Sequence, residues 1–517
     1  MDLIVFEDEH LLVADKPAGW NTHAPSPFAN EGLYEWLKHR EPRWKNLAIL
    51  HRLDKETSGL IVFGKTPTAN QSLTQQFENR QVAKTYVFLT DRPSRRPEFT
   101  VKSNTLRVGE KYISQKSSAR GQPAETCFRF ISANGTHFLW EAKPVTGRTH
   151  QIRVHASDHG IPVFGDTLYK GSPAPRICLH AAELAFKHPV TNAPLVFRVA
   201  PHFFEPVYAR LRSAIIDPSE TDAYRLVHGA ADGWPSLYIE RWNQYLVASS
   251  AGELTTRQLD FVKSLPAAGV FHKLLNRQPG HNSAQLSSGQ PVPSQGFTVS
   301  ENGLKFKIRF SEGYSVGLFL DQRDNRRRLL TGHVSADLGF AAPREVLNVF
   351  AYTCAFSISA AVRGSKVTSI DLSRKYLDWG GENFIVNAIP MEGHEFLAGD
   401  AFEWLARLAR KKRAFELVIL DPPTFSRSKE SGVFQVEKDY GRLVSGALPL
   451  LKPEGVLFAS TNSAAYRAED FLAAVTQSIR RGGRRIACQH YVPQPPDFPV
   501  HPTEPAYLKT VWIQLAN

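Results

Sequence analysis

Cysteine is scarce in this chain, with four in 517 residues. Cys127, Cys178, Cys354 and Cys488 lie far apart and form no C-x-x-C pair, which argues against a zinc site and against a disulfide framework. A protein of a reducing compartment, without a metal, is expected. No apolar run reaches the roughly 20 residues that a membrane helix needs. The first residues, Met1 to Asp8, are acidic, where a secretory leader would be basic and then apolar. A soluble cytoplasmic protein with no membrane partner is the expectation. Internal repeats and extended low-complexity segments are absent too. Negative charge is in short supply: 50 Asp and Glu stand against 62 Lys and Arg, a formal net charge of +12. The excess is spread along the chain and not gathered into a tail. It favours a folded basic surface facing a polyanion such as nucleic acid.

Length is what the chain does have, well beyond the roughly 250–300 residues at which one core stops growing. Two or three domains are expected. Residues 1–217 read as mixed α+β. Apolar runs at Leu3–Phe6, Leu11–Ala14, Leu60–Phe63, Tyr86–Leu89, Phe138–Ala142 and Leu195–Val199 alternate with polar turns, and Pro67–Arg80 predicts a helix. Ile216 to Asp222 reads as a linker. A small strand-rich unit follows over 218–310, with a loop rich in Gly, Pro, Ser and Asn from Arg277 to Pro293. In the remainder, 311–517, strand and helix alternate. Strands are expected at Glu345–Ala351, Lys366–Leu372, Phe415–Leu420 and Gly455–Ser460. Helices are expected at Ser373–Asn387, Ala401–Lys411 and Val436–Leu451. That alternation predicts a parallel sheet covered by helices, an α/β domain.

Two segments of the first part carry chemistry. His51-Arg52-Leu53-Asp54 packs three ionisable residues into four positions ahead of a Thr-Ser-Gly turn. Alone it reads equally well as a local ion pair. Thr146-Gly147-Arg148-Thr149-His150-Gln151-Ile152-Arg153-Val154-His155 places two arginines and two histidines on a turn and the helix after it. An arginine beside Asp54 would keep the carboxylate ionised and oriented, fit to act as a nucleophile. These blocks resemble the RluA family of pseudouridine synthases. So do the run Val5 to Gly19 and Lys84-Thr85-Tyr86, and the likeness covers essentially all of the first domain. The resemblance implies that Asp54 is the catalytic aspartate, that Tyr86 packs on the target base and that Arg148 pairs with Asp54. His51 and Arg52 are expected at the substrate. The family isomerises uridine in RNA without a cofactor. Whether Asp54 attacks the sugar or abstracts a proton stays open. With the motifs beginning almost at Met1, the N-terminal S4-type module frequent in the family is not expected.

In the second part, strand Glu345–Ala351 runs into Tyr352-Thr353-Cys354, a loop without the glycine-rich fingerprint of NAD enzymes. Asn348, Phe350 and Tyr352 are candidate cofactor residues there. The next strand ends in Asp371, an acid placed for ribose hydroxyls. Asp400 starts a helix, as an N-cap, an adenine contact or both. Asp421-Pro422-Pro423-Thr424-Phe425 follows a buried-looking strand. Its prolines leave carbonyls free, and Phe425 can stack on a base. This half resembles the class I S-adenosylmethionine (SAM) methyltransferases of large-subunit ribosomal RNA, the RlmI and RlmK group. The likeness rests on Gly317 to Arg326, Asn348 to Phe356, Asp371 to Asn387, Asp421 to Lys429 and the tail Pro496–Lys509. It implies a Rossmann-like domain that binds SAM through Asp371 and Asp400. Methyl transfer is implied beside Asp421, Pro422 and Pro423, and Arg323 is expected to meet substrate. The synthase domain is expected in the place of the group's usual N-terminal PUA module.

The expected function is a bifunctional RNA modification enzyme acting on ribosomal RNA, with transfer RNA as a further substrate of the synthase half. One live site with the other half as an RNA-binding platform is the alternative, ahead of a non-catalytic assembly factor. Guanine N7 is the expected methyl acceptor. Cytosine C5 needs a cysteine nucleophile, and no cysteine occurs between Cys354 and Cys488. Guanine N2 is the nearest rival.

Overall fold

The computed structural model describes residues 2–116, 121–275, 283–312, 315–428 and 432–517. Most of the first part of the expected loop (277–282) and Lys429 of the D-P-P run lie outside these. The chain divides into two units. The first holds Met1–Pro25, Gly32–Trp36 and Asn46–Ile215. The second holds Ser26–Glu31, Leu37–Lys45 and Ile216–Asn517.

The first unit is built on an eleven-stranded sheet. At its centre Leu179–Lys187 lies between Ser58–Gly64, to which it is parallel, and Ala83–Thr90, to which it is antiparallel. Leu60, Ile61, Val62 and Phe63 are all buried. A strand covered on both faces reads as a continuous apolar run rather than an alternation. Helix Pro67–Glu78 opens where Thr66 accepts a hydrogen bond from Ala69 N, with Pro67 in the first turn. It stops two residues short of Arg80, whose φ of 57° leaves the helical region.

The second unit starts with a five-stranded sheet spanning Ala223 to Gly289 and a hairpin of Phe297–Glu301 with Leu304–Ile308. Its largest element is a seven-stranded sheet. In chain order the strands are Glu345–Val349, Lys366–Asp371, Glu395–Ala398, Phe415–Leu420, Leu451–Thr461, Ile486–Pro493 and Lys509–Leu515. Across the sheet they run third, second, first, fourth, fifth, seventh, sixth. The first five are parallel; the seventh runs antiparallel to both its neighbours, the fifth and the sixth, so the sixth shares the direction of the first five. The order reverses between Glu345–Val349 and Phe415–Leu420, and a crevice opens there beyond the strands' carboxyl ends. Both Phe350 and Asp421 sit at that point. Among the described residues no helix is long and apolar enough to cross a membrane.

Candidate active sites

Asp54 lies on the turn leading into Ser58–Gly64. The turn is pinned from below by Lys16, which is fully buried. Its ammonium donates to the carbonyls of Pro17 at 2.9 Å, Trp20 at 2.8 Å and Lys55 at 3.1 Å, one for each N–H. Burial pushes its pKa down to about 7. Thr22 adds a second clamp: its hydroxyl donates to Leu53 O at 2.8 Å and accepts from Leu53 N at 3.2 Å. The Asp54 side chain stays 33% exposed. Arg153 Nη1 lies 3.9 Å from its Oδ2, and His150 Nε2 lies 3.8 Å away. Asp166, itself buried, grips Arg153 from behind, Nε at 2.6 Å and Nη2 at 2.9 Å. Tyr169 packs its ring 5.1 Å from the same guanidinium and places its hydroxyl 2.8 Å from His150 Nδ1. Tyr86, on the strand Ala83–Thr90, lies within reach of the Asp54 charge. Burial, reinforced by the Asp54 anion, pushes its pKa up, so the phenol stays protonated.

Two expectations are corrected here. Arg148 does not pair with Asp54: it is exposed, and its Nε donates to Pro123 O at 3.2 Å. It sits on the turn before the helix Gln151–Asp158, whereas Arg153 sits in that helix, in the run Gln151 to Ala156 that is buried throughout. His51, expected at the substrate, is engaged inside the unit. Its Nε2 accepts from Val62 N at 3.1 Å, its ring lies 4.8 Å from Phe77, and burial pushes its pKa down to about 3. Arg52 is exposed beside Asp54.

In the second unit a cavity of about 1130 Å³ opens at the switch point of the sheet. Asn348, Phe350, Tyr352, Asp371 and Asp400 line it, and so do Asp421, Pro422, Pro423 and Phe425. Phe350, Tyr352 and Cys354 all have positive φ, at 63°, 48° and 64°. Three non-glycine residues in the left-handed region cost about 1–2 kcal/mol each. Such strain gathers where the backbone itself builds a site. Asp371 repays part of it, since its Oδ2 accepts from Tyr352 N and its Oδ1 from Ser373 N, both at 2.9 Å. Burial still pushes this carboxyl up. Asn348 Nδ2 donates to Ser357 Oγ at 2.9 Å. Asp400 both lines the cavity and caps its helix, accepting from Phe402 N at 2.9 Å and Glu403 N at 3.1 Å. Asp421 has its pKa pushed up to about 6 by burial, with neighbouring Asp321 adding to the rise. Phe425 is 58% exposed at the rim.

The family model for S-adenosylmethionine-dependent methyltransferases matches residues 248–513. The chain belongs to this methyltransferase family. The model for RNA pseudouridylate synthases matches residues 10–158. The molecule is therefore an RluA-like pseudouridine synthase domain fused to an RlmK/L-like SAM methyltransferase domain. A ribosomal RNA large subunit methyltransferase of Deinococcus radiodurans is 33% identical over 324 residues, covering 59% of this chain and 76% of that one. A ribosomal RNA large subunit methyltransferase K/L of Psychrobacter arcticus is 34% identical over 207 residues, 39% of this chain and 26% of that one. The solved structure of SMU.776 complexed with SAH superposes with a TM-score of 0.52 at 26% identity, covering 64% of this chain and 87% of that one.

Arg323 does not line the cavity of the methyltransferase domain, contrary to expectation. Only 2% exposed, it forms a bidentate pair with Asp497, at 2.8 Å through each of Nη1 and Nη2. Its neighbours in sequence do the lining instead: Asp321 and Gln322 face the cavity. Sequence reasoning singled out neither of these, nor Asp166. Asp166 sits in Gly165-Asp166-Thr167-Leu168-Tyr169, an acid and a tyrosine three apart after a glycine of φ 87°. That spacing was the available signal.

One cluster among the described residues could hold a metal ion, where none was expected: Glu31, His39 and His490, with ligand atoms within 4.8 Å of one another. Its carboxylate is already engaged. Glu31 Oε1 accepts from Arg328 Nη2 at 2.9 Å and lies 2.7 Å from His39 Nδ1. Arg328, first among the charged neighbours, offsets burial and helps hold the Glu31 carboxyl down at about 2. An arginine cation thus stands where a metal would compete.

Proposed function

We infer that this bifunctional RNA-modifying enzyme isomerises a uridine with Asp54 and methylates a guanine of large-subunit ribosomal RNA at N7. The observation that carries the choice of base is the lining of the methyltransferase cavity, which contains no cysteine among the described residues. Cys354 is the nearest by sequence. It is fully buried, its thiol is pushed up to about 12 by that burial, and it has no thiolate at neutral pH. Its Sγ packs so close to Gly380 that a Cβ there would lie 2.4 Å away. Without a thiolate, attack at cytosine C6 has no nucleophile. Guanine N7 already carries a lone pair, and positioning suffices.

Several features support SAM as the methyl donor. Asp371 offers its remaining lone pairs to ribose hydroxyls, and Asp400 stands on the adenine side. The cavity also has the volume and the switch-point location of such sites. When bound, SAM supplies an electrophilic methyl group. Asp421, Pro422 and Pro423 present carbonyl and carboxylate oxygens to the base, and Phe425 offers a ring for stacking. Methylation at N7 places a positive charge on the base, and an Asp421 carboxylate would balance it. The same carboxylate could take a proton from an exocyclic amine, which keeps N2 as the second reading. Labelled SAM and unmodified large-subunit ribosomal RNA, followed by digestion to nucleosides, separate the two. 7-Methylguanosine is the expected product; N2-methylguanosine or 5-methylcytidine would replace this reading.

On the synthase side, Arg153 takes the part first given to Arg148, as the arginine that faces Asp54. The support is the pair of distances at Asp54 and the clamp of Asp166 behind Arg153. Release of tritium from C5-labelled uridine in ribosomal and transfer RNA tests it. Loss of release in Asp54→Asn is the expected result.

A further inference from the structure

The strand Lys509–Leu515 puts Thr510 and Trp512 on one face, two residues apart. An indole N–H can only donate, and that of Trp512 donates to Asn325 Oδ1 at 3.1 Å. Thr510 fixes the same orientation independently. Its hydroxyl hydrogen goes to Val492 O at 2.7 Å, so Oγ1 is left to accept from Asn325 Nδ2 at 3.3 Å. Asn325 Nδ2 also donates to Gln322 Oε1 at 2.8 Å, one helical turn back. Gln322 is then left with its amide N–H groups facing the cavity. Its Nε2 donates to Ser460 Oγ at 2.8 Å and lies 3.3 Å from each oxygen of Asp421. Gln322 is 2% exposed and Asn325 1%, while Trp512, Thr510 and Ser460 are fully buried. A reversed amide anywhere in this chain would set donor against donor without water to relieve it.

We propose that Gln322 is a positioning residue for methyl transfer: the one-way relay from Trp512 through Asn325 aims its amide N–H groups at Asp421 and holds that carboxylate as an acceptor. The proposal rests on the reading that Asp421 serves the methyl-transfer site. Other groups bear on Asp421 from the elements around it. Asp321, on the turn before the helix Arg323–Thr331, is a second buried carboxyl, and its charge disfavours ionisation of Asp421. Arg326, from that helix, favours it. Tyr440, from the helix Val436–Ala447, spends its hydroxyl on the carbonyls of Leu420 at 3.1 Å and Ser460 at 2.9 Å. Against Asp321, the hydrogen bonds from Ser460 and Gln322 favour the anion.

The test uses the full chain with 13C-carboxyl aspartate, the Asp421 signal being identified by its loss in Asp421→Asn. Gln322→Leu is expected to raise the Asp421 titration midpoint by about one pH unit, the scale of a lost hydrogen bond to the charged form. The acid limb of kcat, measured with labelled SAM and unmodified large-subunit ribosomal RNA, should move with it, with the KM for SAM unchanged. Asn325→Ser, a milder change that frees the Gln322 amide, should move both in the same direction by less. A packing role alone would shift neither. SAH calorimetry identifies a variant that has lost its fold, and Asn325→Ser then carries the test. An unchanged midpoint in the folded variants overturns the proposal. A raised midpoint with an unmoved rate profile would instead sink the reading of Asp421, because the titration needs no RNA.

Discussion

Asp166 holds the Arg153 guanidinium through Nε and Nη2, so that Nη1 is the corner left facing Asp54. One carboxylate thereby sets the direction of the cation that serves another. Asp166→Asn should keep the shape but loosen that grip, lowering pseudouridine formation with little change in RNA binding. Arg153→Lys keeps the charge and loses the planar fork, so it should be nearly as damaging. Arg153→Met leaves Asp166 buried without its cation, at a cost of about 3–5 kcal/mol in stability. Arg148→Ala, by contrast, should retain far more synthase activity than any of these. Tritium release from C5-labelled RNA ranks the four, and an Arg148→Ala as inert as Arg153→Lys would count against the assignment.

Lys16 matches three N–H groups to three carbonyls, which only the ammonium can do. Its folded pKa, pushed down to about 7, lies below the ordinary lysine value. The folded unit therefore releases this proton before the unfolded chain does, and the link favours folding as pH rises from about 7 toward 10. Lys16→Met strands all three carbonyls and should destabilise the synthase unit by about 1–3 kcal/mol or more. Thermal melting of the variant, with methyl transfer as the control for the other half, checks this.

Methyl transfer should fall in acid. The Asp421 carboxyl is raised to about 6, so its anion is present above that pH and is lost as pH falls through it. The rate should halve near pH 6 and drop by about tenfold for each unit below. Pseudouridine formation measured in the same samples supplies the comparison. A flat methyl-transfer profile between pH 5 and 7 would remove Asp421 from the chemistry.

Cys354→Ala should leave methyl transfer within about threefold of the parent and cost roughly 1 kcal/mol, the usual size of a small core change. Complete loss of activity in a folded Cys354→Ala, with 5-methylcytidine as the parent's product, would reinstate a thiol mechanism.

The domain boundary proposed at 217 has a consequence for dissection. Residues 1–217 should fold and keep some synthase activity. Residues 218–517 alone lose Glu31 and Glu41, which pair with Arg328 and Arg327 in the second unit. Arg328 is only 5% exposed, and a buried charge without its partner costs about 3–5 kcal/mol. The fragment should melt below the intact chain, and Arg328→Leu should recover part of the loss. A fragment as stable as the whole would show these pairs to be dispensable.

Local sequence determined what local physics controls. The parallel strand Phe415–Leu420 was legible because a strand buried on both faces is a nearly continuous apolar run, and Ser373 and Asp400 marked helix starts because caps must sit there. Asp54, Asp371 and Asp421 were legible because each closes a strand or turn that the sequence declares, whereas Tyr86, inside the strand Ala83–Thr90, was legible only through the family resemblance. Partnership between distant residues was not. Arg148 and Arg153 both lie in one ten-residue motif, and only the burial of the helix Gln151–Asp158 against the exposure of the turn before it chose between them. Arg323 and Gln322 are adjacent, yet the turn into the helix sends one into an ion pair with Asp497 and the other into the cavity beside Asp421. The short strand Glu395–Ala398 and the two antiparallel strands at the sheet's far edge escaped the sequence pattern, because pairing is settled by neighbours brought in from elsewhere in the chain. Hydrogen-bond direction and charge compensation are properties of such neighbours, and tertiary structure alone decided them.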